Sequence, residues 1–139
     1  MSETTAPVVA AGQQVTPHSR TVTQEEINRY AEASGDLNPL HLDADFARSA
    51  GLPGAIAHGL LEMGILADAV TRWAGPDARL QRLECRFSKP LVSGDTITCT
   101  GTVVSVDDEK GLATLSLQAE SSRGERVLSN GRAVVRFSR

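Results

Sequence analysis

Aromatic residues are scarce in this 139-residue chain: one Trp, one Tyr and three Phe make up 4% of it. A surface that works by stacking nucleobases is excluded, and the core must rest on Leu, Val, Ile and Ala. Positive charge is not in excess either. The formal net charge is −3 and the sequence pI about 5.6, so the basic footprint of a nucleic-acid binder is missing. Only two cysteines occur, Cys85 and Cys99. Two isolated thiols make neither a disulfide framework nor a zinc site. Both fall in segments that read as strands, and they are expected to be small buried hydrophobes in a reducing compartment. No run approaches the ~18 apolar residues of a membrane span. The opening MSETTAPVVAAG carries an acid where a secretory leader carries positive charge. The expectation is a cytoplasmic protein with a disordered tail over residues 1–11 and one domain over 12–139.

What is present is ordinary for a globular domain: 40% hydrophobic and 22% charged residues, enough for a single core. Gln13 to Val22 is mildly β-like, and Pro17 within it suggests an edge strand; His18 there is expected at the surface. Thr23-Gln24-Glu25-Glu26 forms a capping box and opens a helix to about Ala33, with Ile27, Tyr30 and Ala31 at helical spacing. Asp43 can cap a second short helix from Ala44 to about Ala50, which Gly51 ends. From Gly59 to about Trp73 the apolar residues Leu60, Leu61, Met63, Leu66, Ala67, Val70 and Trp73 cover much of a helix circumference. Such a helix is buried, usually against a sheet. Glu62 is the exception: it either emerges on an exposed strip or points into a cleft.

After Gly75-Pro76-Asp77 the period drops to two. Leu83, Cys85 and Phe87 alternate with polar residues, as in a half-buried strand. Thr96–Val106, Leu112–Ser122 and Arg126–Phe137 follow as strands, separated by turns at Asp107–Gly111 and Ser122–Glu125. Three strands joined by tight turns imply an antiparallel meander. One long buried helix with such a sheet is an α+β layout.

Two short stretches carry chemistry. Ser34-Gly35-Asp36-Leu37-Asn38-Pro39-Leu40-His41 sets a carboxylate, an amide and an imidazole on one turn-rich loop that is unlike a regular helix or long strand. Asp36 and His41 can hold one water and move protons near neutral pH. Taken alone, Asp36 and Asn38-Pro39 also fit plain turn chemistry. The second stretch is His58-Gly59, where a helix begins. Its free N–H groups and the positive end of the helix dipole favour negative charge, and glycine lets an oxygen approach closely.

Tyr30 to Gly64 resembles the MaoC-like, (R)-specific enoyl-CoA hydratase family. The family's S-G-D-x-N-P-x-H signature is matched by Ser34, Gly35, Asp36, Asn38, Pro39 and His41, and its A-H-G element by Ala57, His58 and Gly59. Arg86-Phe87-Ser88-Lys89-Pro90-Leu91-Val92-Ser93-Gly94-Asp95-Thr96 resembles a third family stretch, R-F-x-x-P-v-x-x-G-D-t. In length and layout the chain is similar to single-hot-dog dehydratase subunits of actinobacterial fatty-acid or polyketide pathways.

The resemblance implies a hot-dog fold, a long central helix wrapped by a curved antiparallel sheet. It implies reversible addition of water to a trans-2-enoyl thioester, giving the (3R)-3-hydroxyacyl thioester. Asp36 and His41 would be the catalytic dyad and Gly59 the donor to the thioester oxygen. Asn38 would orient the loop and His58 would position its neighbours. No cofactor and no metal are expected. The substrate would be an acyl-CoA or acyl-carrier-protein thioester, and the working unit a homodimer or a heterodimer with another hot-dog subunit. Arg86 and Lys89 either meet the phosphates of coenzyme A or a phosphopantetheine arm, or are solvated strand charges. Glu62 departs from the apolar or small residue the family more often carries there. It leaves open a hot-dog thioesterase that directs water at the thioester. A third reading is a non-catalytic partner subunit that only binds the acyl chain, and the intact Asp36 and His41 speak against it.

Overall fold

The computed structural model describes residues 9–138; residues 1–8 of the expected tail lie outside that range. The elements, in chain order, are β1 (Gln14–Thr21), α1 (Gln24–Ser34), α2 (Pro39–Leu42), α3 (Ala44–Ser49), α4 (Gly59–Ala74), β2 (Ala78–Phe87), β3 (Thr96–Asp107), β4 (Leu112–Ser121) and β5 (Arg126–Phe137). The strands form one five-stranded sheet in the order β1-β3-β4-β5-β2, and every pairing is antiparallel. The expected meander is β3-β4-β5, with β1 and β2 at the two edges.

Helix α4 is the centre of the molecule. It packs against both β1 and β2, which lie at opposite ends of the strand order. One helix can touch both edges only if the sheet curls around it, so this is the wrapped-helix layout that the resemblance implies. The inward face of α4 is Glu62, Ile65, Leu66, Ala69, Val70 and Ala74, the three-and-four spacing of a helix stripe. Leu66 and Val70 are fully buried, each worth roughly 1.5–3 kcal/mol of apolar transfer. They join Ile97, Val103, Leu115, Leu128, Val135 and others in one core.

The curl has a local cause. Gly101 on β3 and Gly131 on β5 both face Leu117 on β4. A Cβ on Gly131 would lie 2.5 Å from the Leu117 carbonyl oxygen, and one on Gly101 2.5 Å from Leu117 Cδ2. Glycine lets the three strands close up at this tier.

Three expectations need correcting. The Asp36 loop is not free of helix: Pro39–Leu42 makes one short helical turn inside it, because Asn38 and Pro39 together supply a cap and a pre-set first residue. His18 is not a plain surface residue. Its side chain is 24% exposed, and Nε2 lies 3.5 Å from Asp68 Oδ2 on α4, since β1 packs on that helix. Phe87 is 51% exposed although its ring lies against Gly59 at the start of α4, so the end of β2 is less covered than Leu83 and Cys85. The β2–β5 register slips between Glu84 and Arg86, just before it.

Candidate active site

The loop after α1 is built from its own side chains. Thr23 caps α1 by accepting from the Glu26 N–H at 3.2 Å, one half of the capping box; the Glu26 carboxylate accepts from Arg20 at 2.9 Å instead of reaching back. Gly35 ends the helix in the left-handed region, at φ 80°, with its N–H donating to the Ala31 carbonyl; a side chain there would be strained. Ser34 Oγ accepts from the Asp36 N–H, and Asp36 Oδ1 from the Asn38 N–H, both at 3.2 Å. Asn38 Oδ1 accepts from the Leu40 N–H at 3.0 Å. These side-chain turns convert the sequence Ser-Gly-Asp-x-Asn-Pro into a fixed bend. Asn38 therefore orients the loop by capping α2, the helical turn that carries His41. Gln24, at the start of α1, donates to the His41 carbonyl at 2.8 Å and ties the two elements together.

His41 is oriented from behind. Its Nδ1 lies 2.8 Å from the Ile56 carbonyl oxygen. A carbonyl only accepts, so Nδ1 carries the proton and Nε2 of the neutral ring presents a lone pair. Nε2 faces Asp36 Oδ2 at 3.9 Å, with the His41 side chain 12% exposed and that of Asp36 51% exposed. The gap is too long for a direct hydrogen bond. A water or substrate hydroxyl in contact with both atoms would join them.

His58 completes the cluster. It is buried, its ring stacks on that of His41 with centroids 3.9 Å apart, and the Tyr30 ring lies 4.8 Å away on a tilt. Its Nε2 donates to the Asp36 backbone carbonyl at 3.1 Å. His58 is thus the brace between the Asp36 loop and α4, for which it is also the N-cap residue.

Gly59 begins α4, where the first N–H groups have no partner within the helix. A Cβ at Gly59 would come within 3.1 Å of the Phe87 ring. That contact is tight, and a shift of a few tenths of an ångström in the half-exposed Phe87 side chain would relieve it. The third sequence element forms the frame of this segment. Ala57 N–H donates to the Leu91 carbonyl and Ser93 N–H to the Ala55 carbonyl, both at 2.8 Å, while Asp95 is held by Arg123 at 2.7 Å. Arg86 and Lys89, considered for phosphate contact, are exposed.

Glu62 points inward: it is 4% exposed. Burial raises its acid from 4.5 to about 8. The same burial, helped by the Glu62 charge, raises the Cys99 thiol to about 11 and the Cys85 thiol above its ordinary value. Neither cysteine is a nucleophile near neutral pH, in keeping with their reading as small hydrophobes.

Asp36, His41 and His58 could together reach one cation, since a ligand atom from each lies within 4.8 Å of the others. Each histidine already spends one nitrogen on a backbone carbonyl, and the arrangement suits proton handling equally well. Sequence reasoning missed Tyr30, Phe87, Gln24 and the Ile56 carbonyl as parts of this site. Tyr30 was legible only as a helix-face residue and Phe87 only as a strand residue. A backbone carbonyl leaves no mark in a sequence.

Comparison with known proteins gives the family and the fold. Residues 7–122 match the family model described as MaoC like domain. The chain is 31% identical over 118 residues to the (R)-specific enoyl-CoA hydratase of Rhodospirillum rubrum, covering 84% of this chain and 81% of that protein. Among solved structures, it superposes on the (R)-hydratase from A. caviae involved in PHA biosynthesis with a TM-score of 0.87 and 27% identity, over 96% of this chain and all of that one. It superposes on a chain of the ChsH1-ChsH2 complex from Mycobacterium tuberculosis with a TM-score of 0.83 and 25% identity, over 94% of this chain and all of that one. The chain belongs to the MaoC-like domain family and has its hot-dog fold.

Proposed function

We propose that this protein is a hydro-lyase that reversibly hydrates trans-2-enoyl thioesters to (3R)-3-hydroxyacyl thioesters. The observation that carries the reading is the opposed pair, Asp36 Oδ2 and His41 Nε2, separated by 3.9 Å, beside the start of α4. In hydration, a water between the two gives up a proton to the pair while its oxygen bonds to the β carbon. The double-bond electrons move toward the thioester carbonyl, and negative charge grows on its oxygen. The Gly59 N–H and the helix dipole stabilise that charge, and such donors are worth ~2.7–4 kcal/mol in a transition state. A proton returned to the α carbon completes the addition, and dehydration is the same path reversed. Asn38 and His58 hold the two halves in register.

The acyl group arrives on coenzyme A or a carrier protein, and the working unit is a pair of hot-dog subunits, two copies or two related chains. Support comes from the outer edge of β2, which pairs with no further strand among the described residues, and from the exposed Phe87 and Leu60 beside the site. The hydrolytic alternative through Glu62 is disfavoured by its chemistry: burial keeps the acid protonated at neutral pH, which removes the base that a thioesterase needs.

The test is crotonyl-CoA hydration by the purified protein and by Asp36→Asn and His41→Gln. Both variants should fold, by circular dichroism, and lose at least ~100-fold in kcat/KM. Full activity in both variants would sink the assignment.

A further inference from the structure

Two buried polar atoms beside the site have no partner among the described residues: His58 Nδ1 and Glu62 Oε1. Their side chains are 2% and 4% exposed, and buried polar groups are rarely left unpaired. The two residues are one helical turn apart. The Glu62 N–H donates to the His58 carbonyl at 3.2 Å, so both side chains start from the same side of α4. The two atoms are also complementary. His58 Nε2 spends its proton on the Asp36 carbonyl, which leaves Nδ1 as a bare acceptor. Glu62, kept protonated by burial, has one O–H to give. The thiols of Cys85 and Cys99 lie near enough to feel the Glu62 charge, and Cys99 belongs to the apolar core with Ile65 and Leu66 of the same helix.

We infer that His58 and Glu62 form a polar subsite that recognises a hydroxyl group on the acyl chain, beyond the reacting carbons. The substrate class would then be hydroxylated enoyl thioesters rather than plain alkyl ones. This rests on the hydratase reading above. A hydroxyl can donate to His58 Nδ1 and accept from the Glu62 acid, satisfying both. A ketone would satisfy Glu62 alone, and a methylene neither. The direction of α4 selects the acyl end. With the thioester oxygen at the Gly59 N–H, the helix runs inward, and Glu62 lies about 4.5 Å further along its axis. Leu60, which follows Gly59, is 64% exposed and marks the outward side. The carrier arm stays on that side, and the part of the substrate that reaches Glu62 is the acyl chain.

The test compares kcat/KM of the full-length protein for trans-2-hexenoyl-CoA with that for the same thioester hydroxylated at each carbon beyond the double bond. One hydroxylated probe should be preferred at least ~10-fold, because a site built to bond a hydroxyl rejects its absence strongly. Glu62→Gln, whose amide N–H can still donate, should keep the preference, and Glu62→Leu should abolish it. Should Glu62→Leu fail to fold, Glu62→Met takes its place. A wild-type ratio near one for every probe would overturn the subsite and assign the two atoms to a structural water. A preference unchanged in the apolar variant would overturn it too. Hydration of the plain thioester without preference defeats the subsite alone, whereas no hydration of any probe, crotonyl-CoA included, defeats the hydratase reading with it.

Discussion

Glu62 sits on the inward face of α4 with its acid raised from 4.5 to about 8 by burial. The folded chain therefore holds this proton more tightly than the unfolded chain does. The sign follows: no penalty exists below about pH 4.5, stability falls as pH rises through the window from 4.5 to about 8, and the penalty is complete above it. The slope within the window is at most ~1.4 kcal/mol per pH unit. The groups facing Glu62 whose thiols feel its charge, Cys85 and Cys99, stay protonated throughout. Glu62→Gln removes the titration with little change of shape. Urea unfolding should give similar stability for the variant and the wild type near pH 5, and a more stable variant by pH 8. Parallel pH profiles would contradict the burial argument. At this scale the sequence was informative where chemistry is local. Asp36, Asn38, His41, His58 and Gly59 could all be named from spacing and resemblance, because each belongs to a short run that builds its own turn or cap. The inward aim of Glu62 was left open, since an acid on an apolar helix fits either a cleft or an exposed strip until the packing is known.

At the scale of elements, Leu117 between Gly101 and Gly131 is where the sheet closes around α4. Gly131→Ala would push a methyl group against the Leu117 backbone, which has no freedom to rotate away. A loss of ~1–3 kcal/mol is expected, read as a lower midpoint in urea with the same slope; an unchanged midpoint would mean that the tier is slack. Gly59 is a different case, because the atoms it faces belong to the side chain of a half-exposed Phe87. The strands and α4 were legible from period alone, two for the sheet and 3.6 for the helix. Their bulges were not. The slip at Glu84/Arg86, just before Phe87, depends on pairing with β5, and no pattern within β2 encodes it. Pro39–Leu42 escaped for a related reason: a four-residue turn is too short to show a period.

For the molecule as a whole, the curled sheet brings three distant stretches of sequence to one place. The Asp36 loop is delivered by the end of α1. The segment leading into His58-Gly59 is pinned to the Pro90–Asp95 connection through Ala57, which donates to the Leu91 carbonyl, and Ala55, whose carbonyl accepts from Ser93. His58 joins the two by stacking on His41 and bonding to the Asp36 carbonyl. The open β2 edge and the apolar residues beside it leave room for a second subunit. All of this converges on one claim, that water is added across an enoyl thioester with its oxygen held between Asp36 and His41 on one face. The most direct measurement is chiral analysis of the 3-hydroxybutyryl product formed from crotonyl-CoA. A product that is overwhelmingly (3R), lost together with the rate in His41→Gln, is the predicted result. A racemic or (3S) product, or free thiol released without hydration, would contradict it.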